Sequence, residues 1–325
     1  MPPPDPPSLT RVPTQIAVIG AGGFIGRRLT SQAAGSGREV VGVVRSEAAA
    51  ERVVAAGGRP IRVTGLDAGE LSRAIDGARA VVHLAHIGAE RGGATYEAVN
   101  VEGTRQVIAA ARSAGVGRVV LFSGLGVARY GQSRRCTNRY FLSKLAAEVE
   151  LFRSDREAFV FRPSYVVGPG DALVGALVSD LAAGDVERPG DGSYRLQPVA
   201  VRDAADAAIA AAEAPAPGAP RVFDLVGPEA LGYDAFVARA ALAVRAEGLP
   251  VATGEIRSIE VAEAERRAAA GGYRGMLPDE LDCLLCDQTA DPGPLARLLG
   301  RPLTPLDPAL REAVHGSVGT SGPRA

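Results

Sequence analysis

The chain has 325 residues with a formal net charge of −1, and 46% of them are hydrophobic. That length supports one or two domains around a large core, and near-neutral charge with no basic stripe speaks against nucleic acid or an anionic membrane surface. No apolar run approaches a membrane span, and three cysteines, an odd number, argue against a disulfide framework and for a reducing, cytoplasmic setting.

Residues 1–13 hold five prolines before Leu9 and read as a disordered tail, neither signal peptide nor anchor. From Gln15 onward, β-branched runs alternate with amphipathic Ala- and Arg-rich segments. The predicted strands cover 16–19, 40–44, 61–63, 80–84, 119–122 and 159–161. The predicted helices cover 23–34, 47–56, 70–75, 96–114 and 138–152. Continuous apolar strands separated by helices imply an α/β fold, a doubly wound parallel sheet of Rossmann type. After Asp171 the alternation lapses. A strand over 196–201 and a helix over 203–213 are expected to return to the sheet, followed by a linker-like turn over 211–220 and a strand over 222–226. Residues 14–231 then form the nucleotide-binding domain. Residues 232–325, joined by 172–194, form a smaller, mainly helical substrate lobe.

Two motifs carry chemistry. The first strand runs into Gly20-Ala21-Gly22-Gly23-Phe24-Ile25-Gly26 and then a helix, a turn that lets backbone approach a pyrophosphate at a helix N-terminus. The second is Tyr140-Phe141-Leu142-Ser143-Lys144. Of 36 basic residues Lys144 is the sole lysine, and on a helix it shares a face with Tyr140. A compact ammonium suits a phenol and a ribose better than a planar guanidinium does.

These segments resemble the extended and atypical short-chain dehydrogenase/reductases, the NAD-dependent epimerase/dehydratase-like proteins. Val82-His83-Leu84-Ala85, Asn100-Val101-Glu102-Gly103-Thr104 and Arg162–Asp171 fit the same order, and the likeness spans about residues 15–315. The blocks after residue 161 most resemble a bacterial group related to a nucleotide-binding accessory subunit of respiratory complex I. The resemblance implies that Tyr140 is the general acid/base and that Lys144 supports it and holds the nicotinamide ribose. It implies a cofactor cradle of Gly20, Gly23, Phe24, Ile25, Gly26, Leu84, Ala85, Tyr140, Lys144 and Pro163. Asn100 either holds a water in a proton relay or satisfies backbone.

Two departures matter. Where the family carries a Ser or Thr after strand five, the chain has Gly124, with Ser123 one residue early as the candidate catalytic hydroxyl. Where an acid would bind the adenosine ribose, the chain reads Val43-Val44-Arg45-Ser46. Arg45 there points to a 2′-phosphate and favours NADP(H) over NAD(H). Asp67 either contacts adenine or starts a helix, and Ser143 reads as a helix residue facing away from Tyr140. His86 lines the cofactor cleft without chemistry. Arg134, Arg135 and Arg139 either hold an anionic substrate or belong to a solvated loop. Cys283 and Cys286 form a CxxC on an apolar helical pattern, read as core packing; no metal site is expected.

The expected function is an NAD(P)-dependent oxidoreductase acting on a carbonyl or secondary alcohol of a small molecule. The alternatives are a redox-silent NAD(P)H-binding assembly or regulatory subunit working in a protein complex, and a nucleotide-sugar epimerase or dehydratase.

Overall fold

The five inner strands of a seven-stranded parallel sheet carry the long apolar runs, because both their faces are buried, whereas the two edge strands, Arg59–Arg62 and Arg221–Leu225, carry polar residues. A computed structural model describes residues 15–215, 221–252 and 254–318. The predicted tail and residues 216–220 of the linker lie outside the described residues.

The first half alternates β1 (Gln15–Ile19), α1 (Phe24–Gly35), β2 (Glu39–Val44), α2 (Glu47–Ala55), β3 (Arg59–Arg62), α3 (Ala68–Ala74), β4 (Ala80–His83), α4 (Gly103–Ser113), β5 (Arg118–Phe122), α5 (Arg139–Phe152) and β6 (Glu157–Pro163). The second half holds β7 (Val166–Val167), α6 (Ala172–Ala183), β8 (Glu187–Pro189), β9 (Arg195–Leu196), β10 (Val199–Ala200), α7 (Val201–Glu213), β11 (Arg221–Leu225), β12 (Leu231–Gly232), α8 (Tyr233–Ala246), β13 (Arg257–Ile259), α9 (Val261–Ala269), α10 (Pro278–Leu285), α11 (Gly293–Leu299) and α12 (Leu306–Val318). The central sheet runs β11-β6-β5-β4-β1-β2-β3. Its order reverses between β1 and β4, which opens a crevice at the carboxyl ends of the strands.

One face of the sheet packs on α1 and α7, the other on α3, α4 and α5. Helix α7 lies close because six of its alanines, Ala204, Ala205, Ala207, Ala208, Ala211 and Ala212, are fully buried. A second core joins α6, α8, α9, α10 and α12 through residues such as Leu177, Phe236, Leu281 and Leu310.

Some boundaries differ from expectation. Helix α3 begins at Ala68, before residue 70, because the Asp67 carboxylate accepts from Glu70 N at 3.0 Å and caps it. The segment 196–201 does not rejoin the central sheet. It breaks at Pro198 into β9, which pairs antiparallel with β12, and β10, which pairs with β7; only α7 returns to the sheet. Leu295 of α11 and Leu303 leave the C-terminal segment and pack in the sheet's core. The predicted helix over 96–114 opens with a π-helical stretch, Glu97–Glu102, before α4.

Arg118 fastens α7 to the sheet. Its Nη1 donates to the carbonyls of Ala211, Ala212 and Ala214 at 3.0, 3.0 and 2.6 Å, and its Nη2 reaches Glu157 at 2.6 Å. A cation at a helix C-terminus answers carbonyls that have no partner within the helix. Arg118→Leu is expected to lower stability by about 2–3 kcal/mol, read as a lower urea midpoint at unchanged slope.

Candidate active site

The turn after β1 is shaped by close approach. Gly20 sits at φ +90°, and a Cβ on it would lie 3.0 Å from Ala85 N. A Cβ on Gly26 would fall 2.5 Å from the Gly20 carbonyl, so α1 begins hard against the turn. Gly23 is the N-cap of α1 and brings no capping side chain, which leaves the first-turn N–H groups to a ligand's phosphate. Phe24 and Ile25 follow half-buried in the first turn, and Leu84 N donates to Ile19 O beside it. These residues fit a dinucleotide pyrophosphate.

At the ribose end, Arg45 is exposed and makes no ion pair among the described residues. Ser46 accepts from Ala49 N at 3.3 Å as the N-cap of α2. Arg52, which the sequence did not single out, donates from Nε to the Gly22 carbonyl at 3.0 Å and so lies beside the turn. Asp67 caps α3 instead of standing free for adenine.

Helix α5 starts at Asn138, whose Oδ1 accepts from Phe141 N at 2.9 Å. Ala147 and Leu151 bury against the sheet and carry Tyr140 to its carboxyl edge. Lys144, 4% exposed, donates to the Phe122 carbonyl at 3.0 Å, and its Nζ lies 5.7 Å from the centre of the Tyr140 ring. Burial pushes the ammonium down to about 7. Burial also raises the Tyr140 phenol above its ordinary range, with Cys283 and Glu280 adding to the shift.

Asn100 is spent on structure. Its Nδ2 donates to Ile87 O at 3.1 Å and Ser143 Oγ at 2.9 Å, while its Oδ1 accepts from Ile87 N at 2.9 Å. Ser143 is therefore a buried brace between α5 and the π-helical stretch that carries Asn100, more than a bystander on the helix. His83 and His86 share the Thr104 hydroxyl at 3.2 and 3.4 Å. Burial first, then Lys144, lowers both imidazoles, His83 to about 3, so they stay neutral.

A cavity of about 580 Å³ opens at Tyr140 and is walled by Gly124, Phe141, Pro163 and residues of the second core. Ser123 is not part of this wall. Its Oγ is buried without a hydrogen-bond partner, and strand alternation presents Gly124 to the cavity instead. The candidate catalytic hydroxyl is therefore misplaced by one residue. Gly124 is extended at φ −155° and tolerates any residue, but a Cβ there would meet the Phe141 ring at 3.3 Å. The loop arginines are all engaged: Arg134 with Glu265, Arg135 with Asp282 and Glu265, and Arg139 with Glu90. They join the loop to neighbouring segments and are not held for an anion. Tyr165, Tyr233, Tyr273, Phe236 and Met276 also line the cavity, and no motif in the sequence announced them.

Among the described residues no group of three or more His, Cys, Asp or Glu could hold a metal, and no helix is long and apolar enough to cross a membrane.

The profile of the NAD dependent epimerase/dehydratase family matches residues 16–225. The chain is similar to a 2-alkyl-3-oxoalkanoate reductase of Stenotrophomonas maltophilia, 32% identical over 223 residues that cover 63% of this chain and 67% of the relative. It is also similar to a 4-hydroxy-2-methyl-3-oxo-4-farnesyl-3,4-dihydroquinoline-1-oxide ketoreductase of Stigmatella aurantiaca, 31% identical over 169 residues, 47% of this chain and about half (51%) of that relative. The solved structure of MoeE5 in complex with UDP-glucose and NAD superposes with a TM-score of 0.71 at 23% identity, over 95% of this chain and 100% of that one. That likeness establishes the fold.

Lys144 makes a pH signature. An unfolded lysine keeps its proton to about 10.4, whereas the folded one loses it near 7. Between those values the unfolded chain binds more protons, so this residue's contribution to stability improves as pH rises; below the window the cost of the buried charge is fully present. The stability advantage of Lys144→Met over the parent should therefore shrink from pH 7 towards pH 9.5, about three quarters of the way through that window. Urea unfolding of both proteins across the range checks it, and a pH-independent difference would contradict the buried ammonium.

Proposed function

We propose a reaction for this chain, which belongs to the NAD dependent epimerase/dehydratase family: NADPH-dependent reduction of a ketone borne on a hydrophobic chain. The observation that carries the reading is the cavity beside Tyr140. Its walls include Phe141, Val166, Leu173, Leu177, Phe236 and Leu284, and most of its polar groups are engaged, the buried Tyr273 hydroxyl being an exception. Ser164 donates to Gln197 O, Gln288 to Cys283 O, Tyr165 to Asp171, and Arg91 pairs with Glu280. A sugar needs donors and acceptors at each hydroxyl, whereas an alkyl or acyl chain needs only apolar wall. The two reductase relatives bear names that include alkyl and farnesyl groups, which supports the same substrate class here.

The cofactor, when bound, supplies hydride. Tyr140, held neutral by burial, donates its phenolic proton to the carbonyl oxygen as that oxygen gains charge. Lys144 places an ammonium behind the phenol and favours the phenolate left after transfer. The Gly20–Gly26 turn would hold the pyrophosphate, and Arg45, with Arg52 near the turn, would supply charge to a ribose 2′-phosphate.

A second reading rests on Gly124. Without a hydroxyl at position 124, one donor to the substrate oxygen beside Tyr140 is lost, as befits a redox-silent nucleotide-binding subunit of the kind found beside respiratory complex I. Turnover separates the two.

With NADPH and a series of β-keto acids of increasing chain length, activity should rise with alkyl length. Tyr140→Phe should lower turnover by about 10²–10⁴-fold while cofactor titration stays unchanged. Epimerisation of a UDP-sugar with no ketone reduction would overturn the substrate class, and full turnover by Tyr140→Phe would overturn the acid.

Calorimetry should show NADPH binding more tightly than NADH. Arg45→Ala should weaken NADPH by about 1.5–3 kcal/mol and leave NADH nearly unaffected. Equal losses for both would reject the phosphate contact.

A further inference from the structure

All three cysteines of the chain, Cys136, Cys283 and Cys286, meet in one small cluster with Val127, Phe141 and Tyr140. We propose that Cys136 and Cys286 are a peroxide-reactive thiol pair that closes into a reversible disulfide, tying the loop before Tyr140 to the end of α10.

Cys136 ends the 3-10 turn Arg134–Cys136, and Cys286 is the C-cap residue of α10. They are 1% and 3% exposed and pack in the same apolar cluster. Polar contacts on either side keep the two segments in register. Arg135 pairs with Asp282 at 2.6 Å, and Arg129 donates to the carbonyls of Asp287 and Thr289 at 2.7 and 3.0 Å. Both cysteines line a surface cleft of about 430 Å³, distinct from the Tyr140 cavity, with Arg129, Ser133 and Arg135 around them. A small neutral oxidant reaches the sulfurs by that route.

The CxxC spacing alone would pair Cys283 with Cys286. The structure argues otherwise. Cys283 faces the Tyr140 cavity, and the Cys286 thiol lies 3.5 Å from the Cys283 backbone carbonyl. Burial and the carboxylates of Asp282, Asp279 and Glu280 raise the Cys283 thiol, so it stays protonated and unreactive. Cys136 is shifted the other way: the adjoining Cys286 thiol lowers it, helped by Ser133 and the Arg129 guanidinium. The Cys286 thiol is raised by the same contact and by burial, so it keeps its proton, which it donates to the Cys283 carbonyl.

The chemistry balances with hydrogen peroxide as oxidant. The Cys136 thiolate sulfur attacks one peroxide oxygen; an S–O bond forms, the O–O bond breaks, and the departing hydroxide takes a proton to become water. The Cys286 sulfur then attacks the sulfenic sulfur. An S–S bond forms, the S–O bond breaks, and the leaving hydroxide takes the Cys286 proton as a second water. Two thiols lose two electrons, and one peroxide becomes two waters.

The test uses the reduced full-length chain, treated with stoichiometric hydrogen peroxide and digested without reductant for mass spectrometry. A cross-linked peptide pair holding Cys136 and Cys286, lighter by two hydrogens and released by dithiothreitol, is the expected result. Cys283→Ser should retain the cross-link, and Cys136→Ser should lose it. A Cys283–Cys286 cross-link, oxygen addition without any cross-link, or no change in the parent chain would each overturn the proposal. The parent chain decides this alone, whatever the folding of the variants.

Discussion

The hydrogen bond from Lys144 to the carbonyl of Phe122, the last residue of β5, fixes the site. It joins the middle of α5 to the carboxyl end of the central strands, so Tyr140, one turn earlier, must stand just beyond the sheet's edge. Burying an ammonium is costly, and the depressed proton affinity records that cost. One turn later, Glu148 is fully buried and paired with Arg162 of β6 at 2.6 Å. Helix α5 thus meets the sheet through two charged contacts separated by one turn. An arginine at 144 would present five donors to a place whose one observed acceptor is a single carbonyl, which explains why the lone lysine stands in an arginine-rich chain.

The sequence made the sheet readable because strands β1, β2, β4, β5 and β6 are apolar on both faces, and no other element has that pattern. The cradle was equally readable, since Gly20 and Gly26 answer to contacts too close for a side chain. The errors fall where pairing is tertiary. β9 and β10 are two residues each, and their partners, β12 and β7, are just as short, so no local periodicity marks them. Asp67 is the same residue type whether it touches adenine or caps a helix, and only its 3.0 Å contact with Glu70 N distinguishes the two. Ser123 failed through alternation: shifting one position on an extended chain moves a hydroxyl to the other face. The cavity walls were illegible because Phe236, Leu284 and Met276 on their own elements look like any core.

The second core is held over the sheet's edge by a rim of ion pairs as well as by apolar packing. Arg91 bridges to Glu280 and to the Gly275 carbonyl, and Arg135 to Asp282. Exposed pairs of this kind contribute little individually. Their effect is positional: they consume the charged groups around the mouth and leave the interior to Phe236, Leu177 and Leu284. A polar rim around a mainly apolar interior supports the substrate class proposed above, a polar head on a hydrocarbon body. That is the reverse of a sugar-nucleotide site, in which polarity must run the length of the ligand.

The neighbouring electrostatics set the resting protonation state of Tyr140. Tyr140 stands among Cys283, Glu280, Tyr96 and Phe141, none of which offers positive charge, so its burial holds the proton on. Lys144 stands behind the ring, and its own charge is weakened by burial. The two neutral histidines behind it add none. A phenol that resists ionisation is a poor base for taking a proton from an alcohol and a ready acid towards an oxygen that is gaining negative charge. The reduction proposed above asks for that acid, and the phenolate left after transfer is the state that Lys144 supports.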